Sequence, residues 1–304
     1  MLATIREYAQ ERLAAAGELD EVCGRHARFF LLLAEEAEGA LQGPEQSRWL
    51  TCLEWEHDNL RAAIDWASAA GELALALRLA GALGPFWRTR CYVTEGLGRL
   101  EALLAKGNGV AAAVQAKALS AAGSLAMERG QLTRAGTFFA ESLACSQQTG
   151  ESRQVAQALL GLAGIALLQG ELASAEARYR QIVTLAREVG HSWELARALN
   201  DLALTLYRLG NLTEANERAE QSLRLFRTLE DRQGEARGLL ALGDIAYARG
   251  DLAQAGSWTG TALAVLRQAG DRQRIGNVLA RQAQIAAEHG DDPQALASSQ
   301  ESLA

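Results

Sequence analysis

Only two of the 304 residues are lysine and only three are proline. Neither lysine fits a phosphate-binding loop, which needs Gly-Lys followed by Ser or Thr so that the amine reaches the phosphates and the hydroxyl holds magnesium. Lys106 stands between Ala105 and Gly107, and Lys117 between Ala116 and Ala118. The four cysteines, Cys23, Cys52, Cys91 and Cys145, lie at least 29 residues apart. Without the short C-x-x-C element of a zinc or redox site, they are expected as small packing residues. Long apolar runs are also missing. The longest, Phe29 to Ala34, falls far short of the ~20 residues that cross a bilayer. The start of the chain carries Arg6, Glu7, Glu11 and Arg12 where a secretory signal needs an apolar stretch. A cytoplasmic protein without membrane contact is therefore expected.

Catalytic patterns are missing as well. His26, His57, His191 and His289 form no H-E-x-x-H pair, and no G-x-S-x-G turn presents a serine. Glu54, Glu56, His57 and Asp58 are clustered in sequence, but a helix would scatter adjacent residues around its cylinder. No catalytic residue, cofactor or metal is expected. The net charge is -7, with 30 basic residues dispersed among 37 acidic ones. No basic stripe could track a phosphate backbone, so direct nucleic-acid contact is not expected.

What the chain does have is a forty-residue period. Gly130, Gly170, Gly210, Gly250 and Gly290 open the phrases GQLTRA, GELASA, GNLTEA, GDLAQA and GDDPQA. A fixed period of this size marks an array of supersecondary units. Eleven residues before each glycine is a leucine (Leu119, Leu159, Leu199, Leu239, Leu279), and seven before it is a Gly or Ala (Gly123, Ala163, Ala203, Gly243, Ala283). Together with Leu162, Leu202, Leu206 and Leu242 they form one apolar stripe at helical spacing. A glycine that tolerates the left-handed conformation ends this first helix. A second helix follows, with Ala135, Ala175, Ala215 and Ala255 in its first turn. Gly150, Gly190 and Gly270 close the second helices, whereas Leu229-Glu230-Asp231 stands at that spot in the third unit and calls for a differently built cap.

The small residue, the Gly-x-Leu turn and the Ala five residues after the glycine resemble the tetratricopeptide repeat. That repeat usually has 34 residues, and six more add about a turn and a half of helix per hairpin. Longer repeats of this kind resemble the sensor arrays of large bacterial transcription regulators, MalT-like and LuxR-type. The resemblance implies an all-α fold, a right-handed superhelix of helical hairpins. Run backwards, the register adds a hairpin with Leu79 and Leu83 on its first helix and Tyr92, Leu97 and Leu100 on its second, Arg90 replacing the glycine. The array is thus expected to span 72–304 in about six hairpins, ending at Ala304 without a polar capping helix. That uncapped end could self-associate.

Residues 1–71 do not follow the repeat and are expected as a helical cap. Amphipathic segments run over Leu2–Ala16 and Glu21–Leu41, and a third helix has Pro44 in its first turn. Trp49, Trp55, Trp66 and Trp87 are expected to anchor this cap to the first repeats. The segments MLATIREYAQERL, RHARFFLLLAEEAE and EHDNLRAAIDWA resemble the stretch that joins the nucleotide switch to the repeats in bacterial STAND-type ATPase regulators, relatives of LuxR-type and AfsR-type activators. This resemblance implies a non-catalytic scaffold that serves as the sensor or partner-binding region of a transcriptional or signalling regulator. A stand-alone peptide-binding adaptor is the alternative.

The ligand face is expected on the first helices, opposite their packed stripe. Positions thirteen, ten, six and three before each glycine share one face. They place Lys117, Leu160, Leu167, Arg197, Asn200, Leu204, Tyr207, Arg237, Leu240, Asp244 and Tyr247 on a concave wall. An apolar floor edged by donors suits a protein, a peptide or a small acidic ligand, the acid held by Arg197 and Arg237.

Overall fold

The computed structural model of the protein describes residues 3–107, 109–269, 272–290 and 292–302. Among them every regular element is a helix: α1 (Ala3–Ala16), α2 (Leu19–Ala40), α3 (Gln46–Trp55), α4 (His57–Ala69), α5 (Leu73–Thr89), α6 (Val93–Leu104), α7 (Ala112–Glu128), α8 (Leu132–Thr149), α9 (Ser152–Gln169), α10 (Leu172–Val189), α11 (Ser192–Arg208), α12 (Leu212–Thr228), α13 (Arg232–Ala248), α14 (Leu252–Ala269), α15 (Arg272–His289) and α16 (Asp292–Ser302). They gather into two compact units. The first is Met1–Gly39 with Arg48–Gly150, and the second is Ala40–Ser47 with Glu151–Ala304. Within each unit, consecutive helices pack as antiparallel hairpins, so the fold is all-α and solenoid-like.

The repeated glycine builds the turn. Gly130 has φ +71, its N–H bonds Met127 O at 2.9 Å, and Gln131 N–H bonds Ala126 O at 2.9 Å. These are the two hydrogen bonds of a Schellman cap, which satisfy carbonyls that a helix end leaves open. The same pair recurs at Gly170, Gly210 and Gly250. The Leu229-Glu230-Asp231 segment corrects an expectation. It makes this same cap, with Glu230 N–H on Arg227 O at 3.1 Å and Asp231 N–H on Phe226 O at 3.0 Å, and Glu230 itself takes the left-handed φ of +53. Asp231 then caps α13, accepting from Gly234 N–H at 2.9 Å and from the Trp193 indole at 2.8 Å. Gly270, Leu2 and Ala304 lie outside the described residues.

The small residues do sit where helices meet: Ala163 and Ala203 have no exposed surface, nor do Ala135, Ala175, Ala215 and Ala255 in the second helices. In α5–α6, Leu79, Leu83 and Leu100 are equally buried. The left-handed residue of that turn is Cys91 at φ +63, one position beyond Arg90. Cys91 is exposed, contrary to its expected packing role.

The cap also departs from expectation. Pro44 lies in the turn before α3, and the stretch expected as one third helix breaks at Glu56 into α3 and α4. Trp55 is 82% exposed and anchors nothing. Trp66 packs over Gly24 of α2, inside the cap, and Trp87 fills the space over Gly96, where a Cβ would come within 2.4 Å of its ring. An aromatic cluster joins α4 to α5 and the start of α6 instead. His57 lies 5.2 Å from Phe86 and 4.3 Å from Tyr92, ring centre to ring centre. Arg61 pairs with Glu95, and Arg78 with Glu35 at 2.8 Å. No described helix is long and apolar enough to cross a membrane.

Candidate functional site

Lys117 belongs to the first unit, where α7 directs its amine to Glu38 of α2 in an ion pair. The other expected site residues belong to the second unit, on α9, α11 and α13.

Leu160 and Leu167 of α9 are 5% and 7% exposed and merge with the hydrophobic core of that unit. Leu204, Tyr207 and Leu240 are half-buried against the same cluster. The apolar floor expected from spacing is therefore open along α11 and α13 and closed along α9. Spacing specifies direction on a helix. It does not specify how closely the neighbouring hairpin stacks.

On α13, Asp244 accepts from Arg281 of α15 at 2.6 and 2.9 Å. The same guanidinium lies 5.2 Å over the Tyr247 ring, and the Tyr247 hydroxyl donates to Glu288 and accepts from Gln284 at 2.8 Å. The bond to Glu288 holds the phenolic proton and, with burial, raises the Tyr247 pKa. Arg237 is half-buried on this helix.

The chemistry concentrates on α11. Arg197 lies 5.8 Å over the Trp193 ring, and its Nε is 3.7 Å from Asp201, beyond hydrogen-bond length. Asn200, 8% exposed, donates from Nδ2 to Asp201 at 3.2 Å. Asp201 also reaches inward. After burial, its negative charge is the next cause that pushes the Tyr179 phenol above its ordinary range. Two polar atoms stay unmatched, since Arg197 Nε and Asn200 Oδ1 are both buried without a hydrogen-bond partner. Leaving such atoms unpaired costs free energy. One is a donor and one an acceptor, three residues apart on the same helical face.

Sequence reasoning did not single out Asp201, Trp193 or Arg281. The i,i+4 spacing of Arg197 and Asp201 could have flagged the first. Arg281 reaches Asp244 across 37 residues, which only the stacking of α13 on α15 reveals.

The tetratricopeptide repeat family model matches residues 114–188, 154–228 and 194–258. Residues 114–258 are tetratricopeptide repeats. A protein of Mycobacterium tuberculosis, named as an HTH-type transcriptional regulator, is 36% identical over 124 residues. That match takes in 40% of this chain and 14% of the relative, so it spans about a seventh of the relative's length. A Rap protein complexed with competence and sporulation factor superposes with TM-score 0.64 at 13% identity, covering 92% of this chain and 74% of that one. A STAND protein with a tetratricopeptide repeat sensor from Pyrococcus horikoshii gives TM-score 0.60 at 15% identity, covering 91% of this chain and 43% of that one. At such identities the structural likeness speaks for the fold.

Proposed function

We propose that this chain is a binding scaffold without catalytic activity, the partner-sensing part of a bacterial regulator, and that α11 and α13 of its second unit receive an extended peptide. In this reading residues 1–71 cap an array over 72–304, and the regulator acts in the cytoplasm. The carrying observation is the unmatched pair on α11. A peptide unit presents one N–H and one C=O, which Asn200 Oδ1 and Arg197 Nε would satisfy together. A free carboxylate supplies acceptors alone and would leave Asn200 Oδ1 unpaired. The half-buried Leu204, Tyr207 and Leu240 provide apolar area for side chains beside it. The Rap complex and the STAND repeat sensor support a sensing role for this fold, and the mycobacterial relative supports a place in transcriptional control.

The test is selection of peptides from a random library on the purified chain, followed by binding of the best peptide to the Asn200→Leu variant. A ligand that uses this pair should lose about tenfold or more in affinity, because a buried hydrogen-bonded group is lost. Failure to enrich any peptide, or undiminished binding to the variant with an unchanged melting curve, would sink the proposal.

A further inference from the structure

Helix α2 carries two apolar faces, and only one of them is covered. Gly24, Ala27, Phe30, Leu31, Ala34 and Ala37 are buried in the first unit. On the outer side, positions alternating by three and four residues give Val22, Arg25, Phe29, Leu32, Glu36 and Gly39, all of them exposed. Phe29 is 59% and Leu32 67% exposed, unusual for residues of that size on a helix whose opposite face already serves the core. Spacing of this kind is the seam of a helix pair.

The seam has a symmetry. About the Phe30–Leu31 peptide bond, Phe29 mirrors Leu32, Arg25 mirrors Glu36 and Val22 mirrors Gly39. Two copies of α2 laid antiparallel about a two-fold axis would therefore set Phe29 against Leu32 of the second copy at the centre. Arg25 would then face Glu36 of the second copy in the flanking layers, and Val22 would meet the small Gly39 at the ends. Neither Arg25 nor Glu36 has an ion-pair partner among the described residues, although their neighbours Glu35 and Glu38 are both paired. An isologous interface requires this self-complementarity.

We propose that the outer seam of α2 is a docking surface for a second copy of this chain, paired antiparallel. A membrane surface would accept Arg25, Phe29 and Leu32 but would have to bury Glu36. A uniformly acidic or basic partner helix would satisfy only one end. The seam is about 25 Å long at about 1.5 Å rise per residue, less surface than a stable dimer of standard size buries, so the association is weak and visible at high concentration.

Sedimentation equilibrium of the purified chain, at low salt and up to roughly 0.5 mM as suits a weak interface, should show a reversible monomer–dimer equilibrium. Leu32→Glu should abolish the dimer and leave the melting curve unchanged. Arg25→Glu and Glu36→Arg each turn two attractive pairs into two repulsive ones and should weaken association about tenfold. Combining both reversals in one chain should restore it, and so should mixing the two single variants. A wild-type chain that stays monomeric throughout overturns the proposal, as does a doubly reversed variant as weak as the single ones.

Discussion

The hairpins α5–α6 and α11–α12 share a register, yet they close their polar groups differently. Around α6 the charges are mutually satisfied: Arg61 reaches Glu95, and Arg99 reaches both Glu95 at 3.1 Å and Asp65 at 2.5 Å. The Tyr92 hydroxyl meets Glu54 at 2.5 Å. Of the atoms without a hydrogen bond there, His57 Nε2 and Trp87 Nε1 belong to side chains with almost no exposed surface, while Arg90 Nε and Glu101 Oε1 each lie within 3.4 Å of an opposite charge, Glu54 and Arg134. Around α11 the unmatched atoms, Arg197 Nε and Asn200 Oδ1, border half-exposed Leu204 and Tyr207. An orphaned polar atom inside a closed core is only a cost. Beside an open face it is also a hydrogen-bonding group that the proposed peptide would satisfy.

The packing of the two hairpins obeys one rule at the point of contact. Seven residues before the left-handed residue of the turn, α11 has Ala203, fully buried, and α5 has Gly84, where a Cβ would come within 2.8 Å of Ala121. The first hairpin makes further room on its second helix, where Gly96 lies under Trp87. Size is therefore excluded at both 84 and 203. Ala203→Trp should cost about 3 kcal/mol or more through overpacking. Ala248→Trp, on an exposed position of α13, should change stability by less than about 0.5 kcal/mol. Thermal unfolding of both variants decides the matter, and equal melting temperatures would break the comparison.

These contrasts also show what a sequence can carry. The forty-residue period and the left-handed glycines were legible because a positive φ and a helical stripe each demand a residue type at a fixed place. That residues 200, 204 and 207 share a face of α11 was legible for the same reason. Depth was not, because the burial of Leu160 and Leu167 depends on the stacking of whole hairpins. Glu230 hid its turn because its backbone obeys the rule that its side chain disguises. The break at Glu56 and the exposure of Trp55 left no mark in composition or spacing.

Closed and open networks should respond differently to acid. The hydrogen bond from Arg61, and then its charge, hold the Glu95 carboxyl below the usual glutamate range despite opposition from burial. The folded form therefore binds this proton less tightly than the unfolded chain. Its stabilising contribution is fully present above the unfolded value, about pH 4.3, and fades as the pH falls through the lower folded value. Glu95→Gln should lower the melting temperature at neutral pH, and the gap to the wild type should narrow on acidification to roughly pH 3. Leu204→Ala, in the open cluster, removes only apolar packing and should leave a gap that does not vary with pH over that interval. A constant gap for Glu95→Gln would mean that the ion pairs around α6 contribute nothing that titrates.

The smallest effect belongs to the disguised turn. Glu230 at φ +53 and Cys91 at φ +63 are the described non-glycine residues with positive φ, one in each unit, at places where other turns use glycine. An L-residue in the left-handed region costs roughly 1–2 kcal/mol, while glycine gives back part of the gain through the greater freedom of its unfolded chain. Glu230 is exposed and its carboxylate makes no hydrogen bond or ion pair among the described residues. Glu230→Gly should therefore stabilise the protein by about 0.5 kcal/mol, the difference of these opposing terms. Cys91→Gly should gain less, because Cys91 has an interaction to lose. Chemical denaturation can resolve the order if the slopes of the transitions match. A loss of stability in Glu230→Gly would show that the glutamate side chain holds this turn, and that the two units build their irregular turns on different principles.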